Sequence, residues 1–136
     1  MANISLDSTY QADLNRFVMM GVDSPRFKSD WISAVNKTIN KINRGADLET
    51  RVTRITGTEG TMALDDAYDD VVQTGVTIYL IMAGQKLQKN ETVDLRLLKL
   101  QFEDEIDDIR QNILNIAVEA DSDDETSFAQ LGALNA

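Results

Sequence analysis

The stretch MALDDAYDDVVQTGVTIYLIMAGQKL, residues 62–87, is the most apolar run of the chain, and it opens as a helix opens. Asp65 or Asp66 can accept hydrogen bonds from the first free backbone N–H groups. Asp69 and Asp70 follow in or near the first turn, where the helix dipole favours negative charge. Tyr68, Val71, Val72, Gly75, Ile78, Tyr79 and Met82 recur at helical spacing, and Val76, Leu80, Ile81 and Ala83 fill the flanks. A helix apolar on most sides must be covered by neighbours, so this stretch is read as the central core helix. Its apolar run from Val76 to Ala83 is far shorter than the roughly 20 residues of a membrane span.

The segments before it supply candidates for that cover. Leu6 to Met20 reads as a first helix, with Tyr10, Leu14, Phe17 and Val18 on one side and Gly21 past its end. Asp23, Ser24 and Pro25 make a turn, and a second helix starting from Ser24 or Ser29 runs to about Arg44, stopped by Gly45. Its stripe is Phe27, Trp31 or Ile32, Val35, Ile39 and Ile42, with Lys37, Lys41 and Arg44 along a flank. From about residue 50 to 64 the β-branched run TRVTRI, the glycine-bounded loop 57–60 and TMAL read as a β-hairpin.

After the central helix, residues 88–91 form a short connection and Thr92 is a candidate N-cap. A last helix then runs from Val93 to about Val118. Its seam, Leu95, Leu98, Phe102, Ile106, Ile109, Ile113 and Ile116, follows a heptad-like spacing. The short connection makes this helix the antiparallel neighbour of the central one. The expected fold is therefore mainly all-α: a bundle of about four helices over residues 1–118, with the small hairpin between helices two and three. Residues 119–136 read as a flexible acidic tail that cannot bury enough apolar area to order alone. Within it Phe128, Leu131 and Leu134 recur at steps of three, the spacing of a docking segment or simply of a frayed end.

Composition narrows the chemistry. With 136 residues the chain is sized for one domain with a single core. It contains no cysteine and no histidine, so disulfides, thiol nucleophiles, thiolate or imidazole metal sites and His-based triads are excluded. A cysteine-free chain fits a reducing cytoplasm without requiring one. The opening MANISLDSTYQ has neither basic residues nor an apolar core, so no secretory signal is expected there. Residues 1–62 hold 8 Lys or Arg and 7 Asp or Glu, net +1, whereas residues 63–136 hold 5 and 16, net −11. That asymmetry points to a partner, or another copy of the chain, meeting one half only, and argues against general nucleic-acid binding.

No motif carries catalysis. Gly57-x-x-Gly60 lacks the Lys-Ser/Thr and the strand-to-helix context of a phosphate loop. Asp121, Asp123 and Glu125 imitate a calcium loop, but Thr126 replaces its glycine and Gly132 its final glutamate. No cofactor or metal is expected. The carboxylates Glu103, Asp104, Asp107 and Asp108 point away from the Phe102–Ile106–Ile109 seam, and each like-charge pair four apart costs about 0.2–0.5 kcal/mol. They read as a solvated face, as the answer to a basic neighbour, or as a surface that must not bind polyanions. Lys37, Lys41 and Arg44, with Arg51 and Arg54 beyond, are too few and too poor in aromatics for a nucleic-acid patch.

Three features together resemble the head-to-tail adaptor, or head completion, proteins of tailed bacteriophages: the Trp-bearing helix KSDWISAVNKTINKIN at 28–43, the bridge RVTRITGTEGTMAL at 51–64 running into DDAYDDVVQTGVTIYLIMAGQKLQKNE at 65–91, and a long last helix followed by a tail. The resemblance covers about residues 24–118 and is one of order and pattern; residues 1–23 and FAQLGALNA have no counterpart in it. It implies a structural, non-enzymatic virion protein of the neck between head and tail, assembled in the host cytoplasm. Such a protein forms a homo-oligomeric ring, a dodecamer, that joins the portal protein to the next tail component and surrounds the DNA channel without reading sequence. On that view Phe128, Leu131 and Leu134 would dock on the portal. Lys37, Lys41 and Arg44 would meet Glu103, Asp104, Asp107 and Asp108 across a subunit contact, or those acids would line the channel. The alternative from another class is an acidic cytoplasmic regulator or inhibitor, a DNA mimic that binds a basic partner.

Overall fold

The computed structural model describes residues 3–18, 25–46, 48, 50–88 and 94–122, with residues 113–122 as backbone only. It is a mainly helical bundle of four helices edged by two-residue strands. In chain order these are β1 (Ile4–Ser5), α1 (Leu6–Arg16), β2 (Phe17–Val18), α2 (Pro25–Gly45), β3 (Thr61–Met62), a 3-10 turn (Asp66–Tyr68), α3 (Asp69–Met82), β4 (Lys86–Leu87) and α4 (Leu95–Ser122).

The central helix is shorter than the sequence pattern suggests. Asp65 accepts from the Ala67 N–H at 3.0 Å and starts the 3-10 turn, so α3 proper begins only at Asp69. It stops at Met82 because Gly84 takes φ +99°, where only glycine is unstrained. The Gly84 N–H then donates to the Ile81 carbonyl and the Gln85 N–H to the Leu80 carbonyl, each at 3.0 Å, a Schellman closure. The flanking residues expected to be helical pair as strands instead: Met62 with Ile4 and Leu87 with Phe17, both antiparallel. For the same reason α1 ends at Arg16 and not at Met20. Phe17 is fully buried against Phe27, with ring centroids 6.1 Å apart, and its carbonyl accepts from Gln88 Nε2.

The hairpin expected at 50–64 is not formed. Only Thr61–Met62 is strand, and it pairs with the N-terminal β1. The β-branched run is held by side chains of α2. Asn43 accepts from the Val52 N–H and donates to the Val52 carbonyl, both at 2.9 Å; Asn36 does the same with Ile55, at 2.8 and 3.0 Å. Seven residues of helix rise about 10.5 Å, and three extended residues span about 10 Å, so the two amides match the two peptide units. One side of the segment thus obtains strand-like pairing without a partner strand.

Contacts along α2 and α3 run in opposite senses. Arg26 reaches the Ala83 carbonyl, Asp30 binds Gln85, and Thr38 lies against Gly75. α4 packs on both: Phe102 beside Gly75, and Ile106 against Gly45. Central helix and last helix are therefore neighbours, as the short connection predicts. α2 is the more extensive partner of α3. The seam is buried at Phe102, Ile106 and Ile109 and half-buried at Leu95 and Leu98. Asp94 caps α4, accepting from the Arg96 and Leu97 N–H groups, while Thr92 lies outside the described residues. The N-terminal segment belongs to the body, since Ile4, Leu6, Tyr10 and Phe17 are all core residues.

Gly75 is where the three long helices meet. A Cβ there would stand 2.6 Å from Thr38 Cγ2 and 2.9 Å from Phe102 Cε1. Thr38 cannot rotate freely to make room, because its hydroxyl donates to the Ala34 carbonyl. Gly75→Ala is expected to lower unfolding free energy by about 1–3 kcal/mol, overpacking outweighing the ~1 kcal/mol gain in helix propensity. Phe102→Ala, which empties the same junction, is expected to cost about 3–5 kcal/mol. Urea titrations read both; an unchanged or higher midpoint for either would show that the junction is not close-packed.

Candidate interaction surfaces

Of the charged residues singled out from the sequence, some lie together within one chain and others face solvent. Lys37 is committed within the chain, its Nζ 5.8 Å from the centroid of the Tyr79 ring. Burial pushes the Tyr79 hydroxyl above its ordinary pKa, and the Arg44 charge opposes that shift. Lys41 and Arg44 share an open groove of about 400 Å³ with Glu103 and Asp107, floored by Gly45 and Ile106. No hydrogen bond or ion pair joins these four side chains among the described residues. Asp104 and Asp108 are exposed and do not line it. Phe128, Leu131 and Leu134 lie outside the described residues.

Two features escaped sequence reasoning. One is the asparagine-held segment, whose exposed side carries Arg51 and Arg54. Asn36 and Asn43, seven apart on the buried, largely apolar face of α2, were its available signal. The other is a buried carboxylate. Asp13 is fully buried, and its Oδ2 accepts from Trp31 Nε1 at 2.8 Å, while Oδ1 has no partner. Tyr10 packs edge-on against the same indole, 5.1 Å between centroids. Desolvation raises the Asp13 pKa from 3.8 to about 6; the Trp31 hydrogen bond and Arg16 pull it down, and Asp69 pushes it up. A second open groove, of about 330 Å³, runs between α3 and α4 and is lined in part by Arg16, Thr77, Gln101 and Glu105. Arg16 Nη1 donates to Thr77 Oγ1 at 2.9 Å, and Glu105 Oε1 is buried without a partner.

None of these is arranged for catalysis by a nucleophile and base, and no group of three metal-ligating side chains gathers among the described residues. No helix among the described residues is long and apolar enough to cross a membrane. Compared with protein-family models, curated proteins and solved structures, the chain matches none.

The Asp13 carboxyl has a stability consequence with a definite sign. Its folded pKa of about 6 lies above the unfolded 3.8, so the folded state binds more protons between those values. Stability from this group is complete below pH 4 and is lost as pH rises towards 7, by about 2–3 kcal/mol. Urea unfolding of the native chain and of Asp13→Asn between pH 4 and 7 isolates it. The difference in unfolding free energy is expected to move by that amount against the native chain, and parallel pH profiles would refute the assignment.

Proposed function

We propose that this chain is a structural ring-forming adaptor of a tailed-phage neck, joining the portal to the next tail component around the DNA channel and carrying out no catalysis. The observation that carries the reading is the resemblance in order: a Trp-bearing helix, a β-rich bridge, an acid-Tyr-acid start to an apolar helix, then a long last helix followed by a tail. The architecture is compatible with a ring subunit. The basic Arg51–Arg54 pair and the acidic Asp104 and Asp108 are separate exposed patches, and a heterologous contact that repeats around a ring can join two such different patches. In this reading Phe128, Leu131 and Leu134 dock on the portal.

A second reading has its own support. Glu103, Asp104, Asp107 and Asp108 are exposed on one ordered helix, the form in which an acidic DNA mimic would present charge to a basic protein.

Mixing the purified chain with its cognate portal and imaging by electron microscopy separates the two. Rings seated on the portal are expected, and deletion of residues 122–136 is expected to abolish docking while leaving the melting temperature nearly unchanged. Persistent absence of a complex, or normal docking by the truncated chain, would count against the adaptor or against the tail's role respectively. Competition with DNA for a basic partner would favour the mimic.

A further inference from the structure

Among the described residues two surfaces lack a partner, and they are complementary. The first is the outer side of residues 51–56. Asn36 and Asn43 pin Val52 and Ile55 inward, leaving Arg51, Thr53 and Arg54 exposed. Arg51 and Arg54 stand three residues apart on a stretch outside the strands, and both are exposed. Neither has a hydrogen-bond or ion-pair partner among the described residues. The second surface is the outer stripe of α4. Phe102, Ile106 and Ile109 point into the core. At 100° per residue Leu97, Leu100, Asp104 and Asp108 therefore fall on the opposite side. Leu97 and Leu100 are 59% and 52% exposed, unusually high for leucines on a helix whose other face is core. Asp104 and Asp108 likewise lack partners among the described residues.

We infer that the α4 stripe Leu97–Leu100–Asp104–Asp108 of one copy docks on the Arg51–Arg54 strip of a second copy. An intramolecular contact is excluded by geometry. Asn36 faces the strip, whereas Gly45, nine residues or two and a half turns further along α2, faces α4. Strip and stripe therefore lie on opposite sides of α2. The contact is heterologous, each copy offering its stripe to one neighbour and its strip to another, and it repeats head to tail. The aspartates set register against the guanidiniums, and the long arginine stems lie over the exposed leucines. The site differs from the pairing expected from sequence, because Lys41 and Arg44 already face Glu103 and Asp107 of their own chain, and Lys37 its own Tyr79. The inference rests on the ring reading for its biological setting, but not for its geometry.

The absence of cysteine makes the test clean. The full chain carrying Arg54→Cys and Asp104→Cys, treated with a short bis-maleimide, is expected to give a ladder of covalent trimers and longer species. It should form about 10-fold faster than with the control pair Arg54→Cys and Asp7→Cys, as a high effective concentration dictates. Ladder formation should fall in 1 M salt. Arg51→Glu with Arg54→Glu should abolish self-association in sedimentation velocity, and adding Asp104→Arg with Asp108→Arg should restore it. Circular dichroism checks that the variants fold; if a charge reversal unfolds, the cysteine pair alone decides. Equal rates for both pairs, or products that stop at the dimer, would overturn the contact. Closed rings by microscopy without the ladder would remove this contact and keep the adaptor reading, whereas the ladder without closed rings would keep the contact and remove the ring.

Discussion

The bundle depends on one close approach, the meeting of α2, α3 and α4 at Gly75. A missing side chain lets Thr38 and the Phe102 ring come within 3 Å of where a Cβ would stand. The same device recurs at Gly45, where α2 ends against Ile106. A glycine inside a helix costs about 1 kcal/mol in propensity. Here that cost is offset by the dispersion attraction among three helices that approach this closely. Because α3 is buried by α2 on one side and α4 on another, its flanks can be apolar almost throughout, with Val72, Val76, Ile78 and Leu80 at most 2% exposed.

Around that junction, polar side chains do what longer strands do elsewhere. The asparagines of α2 satisfy peptide groups at Val52 and Ile55, the four strands contribute two residues each, and Gln88 closes on Phe17. A buried peptide group must find a partner, and a helix presenting amides at the correct rise can provide one. The consequence for function is geometric. The bridge is held against α2 and turns two arginines outward, so a basic strip stands on the side of α2 away from the acidic stripe of α4.

Electrostatics then divides the acids of α4 into two groups. Glu103 and Asp107 line a groove together with Lys41 and Arg44 of the same chain. Asp104 and Asp108 face outward with the exposed Leu97 and Leu100. Buried Asp13 runs against stability at neutral pH. Its hydrogen bond to Trp31 fixes how α1 sits on α2, and the N-terminal segment is thereby made part of the core.

Local pattern was enough to settle the helical class, the order and approximate extent of α2 and α4, and the inward seam of Phe102, Ile106 and Ile109, because 3.6-residue periodicity is a local property that burial preserves. It settled equally which acids of α4 turn away from the core. Where α1 and α3 stop is a matter of tertiary packing, because Phe17, whose N–H still donates to the Asp13 carbonyl, turns into an extended backbone and pairs with Leu87, 70 positions away in the chain, a pairing that no local pattern encodes. Packing also made the β-branched run of 51–56 pair with asparagine side chains and not with a hairpin strand. β propensity reports a fit to an extended backbone, not the identity of its partner. The allocation of charge followed the same rule: spacing along one helix places residues on a face, but which face meets another helix and which meets solvent depends on packing that brings distant segments together.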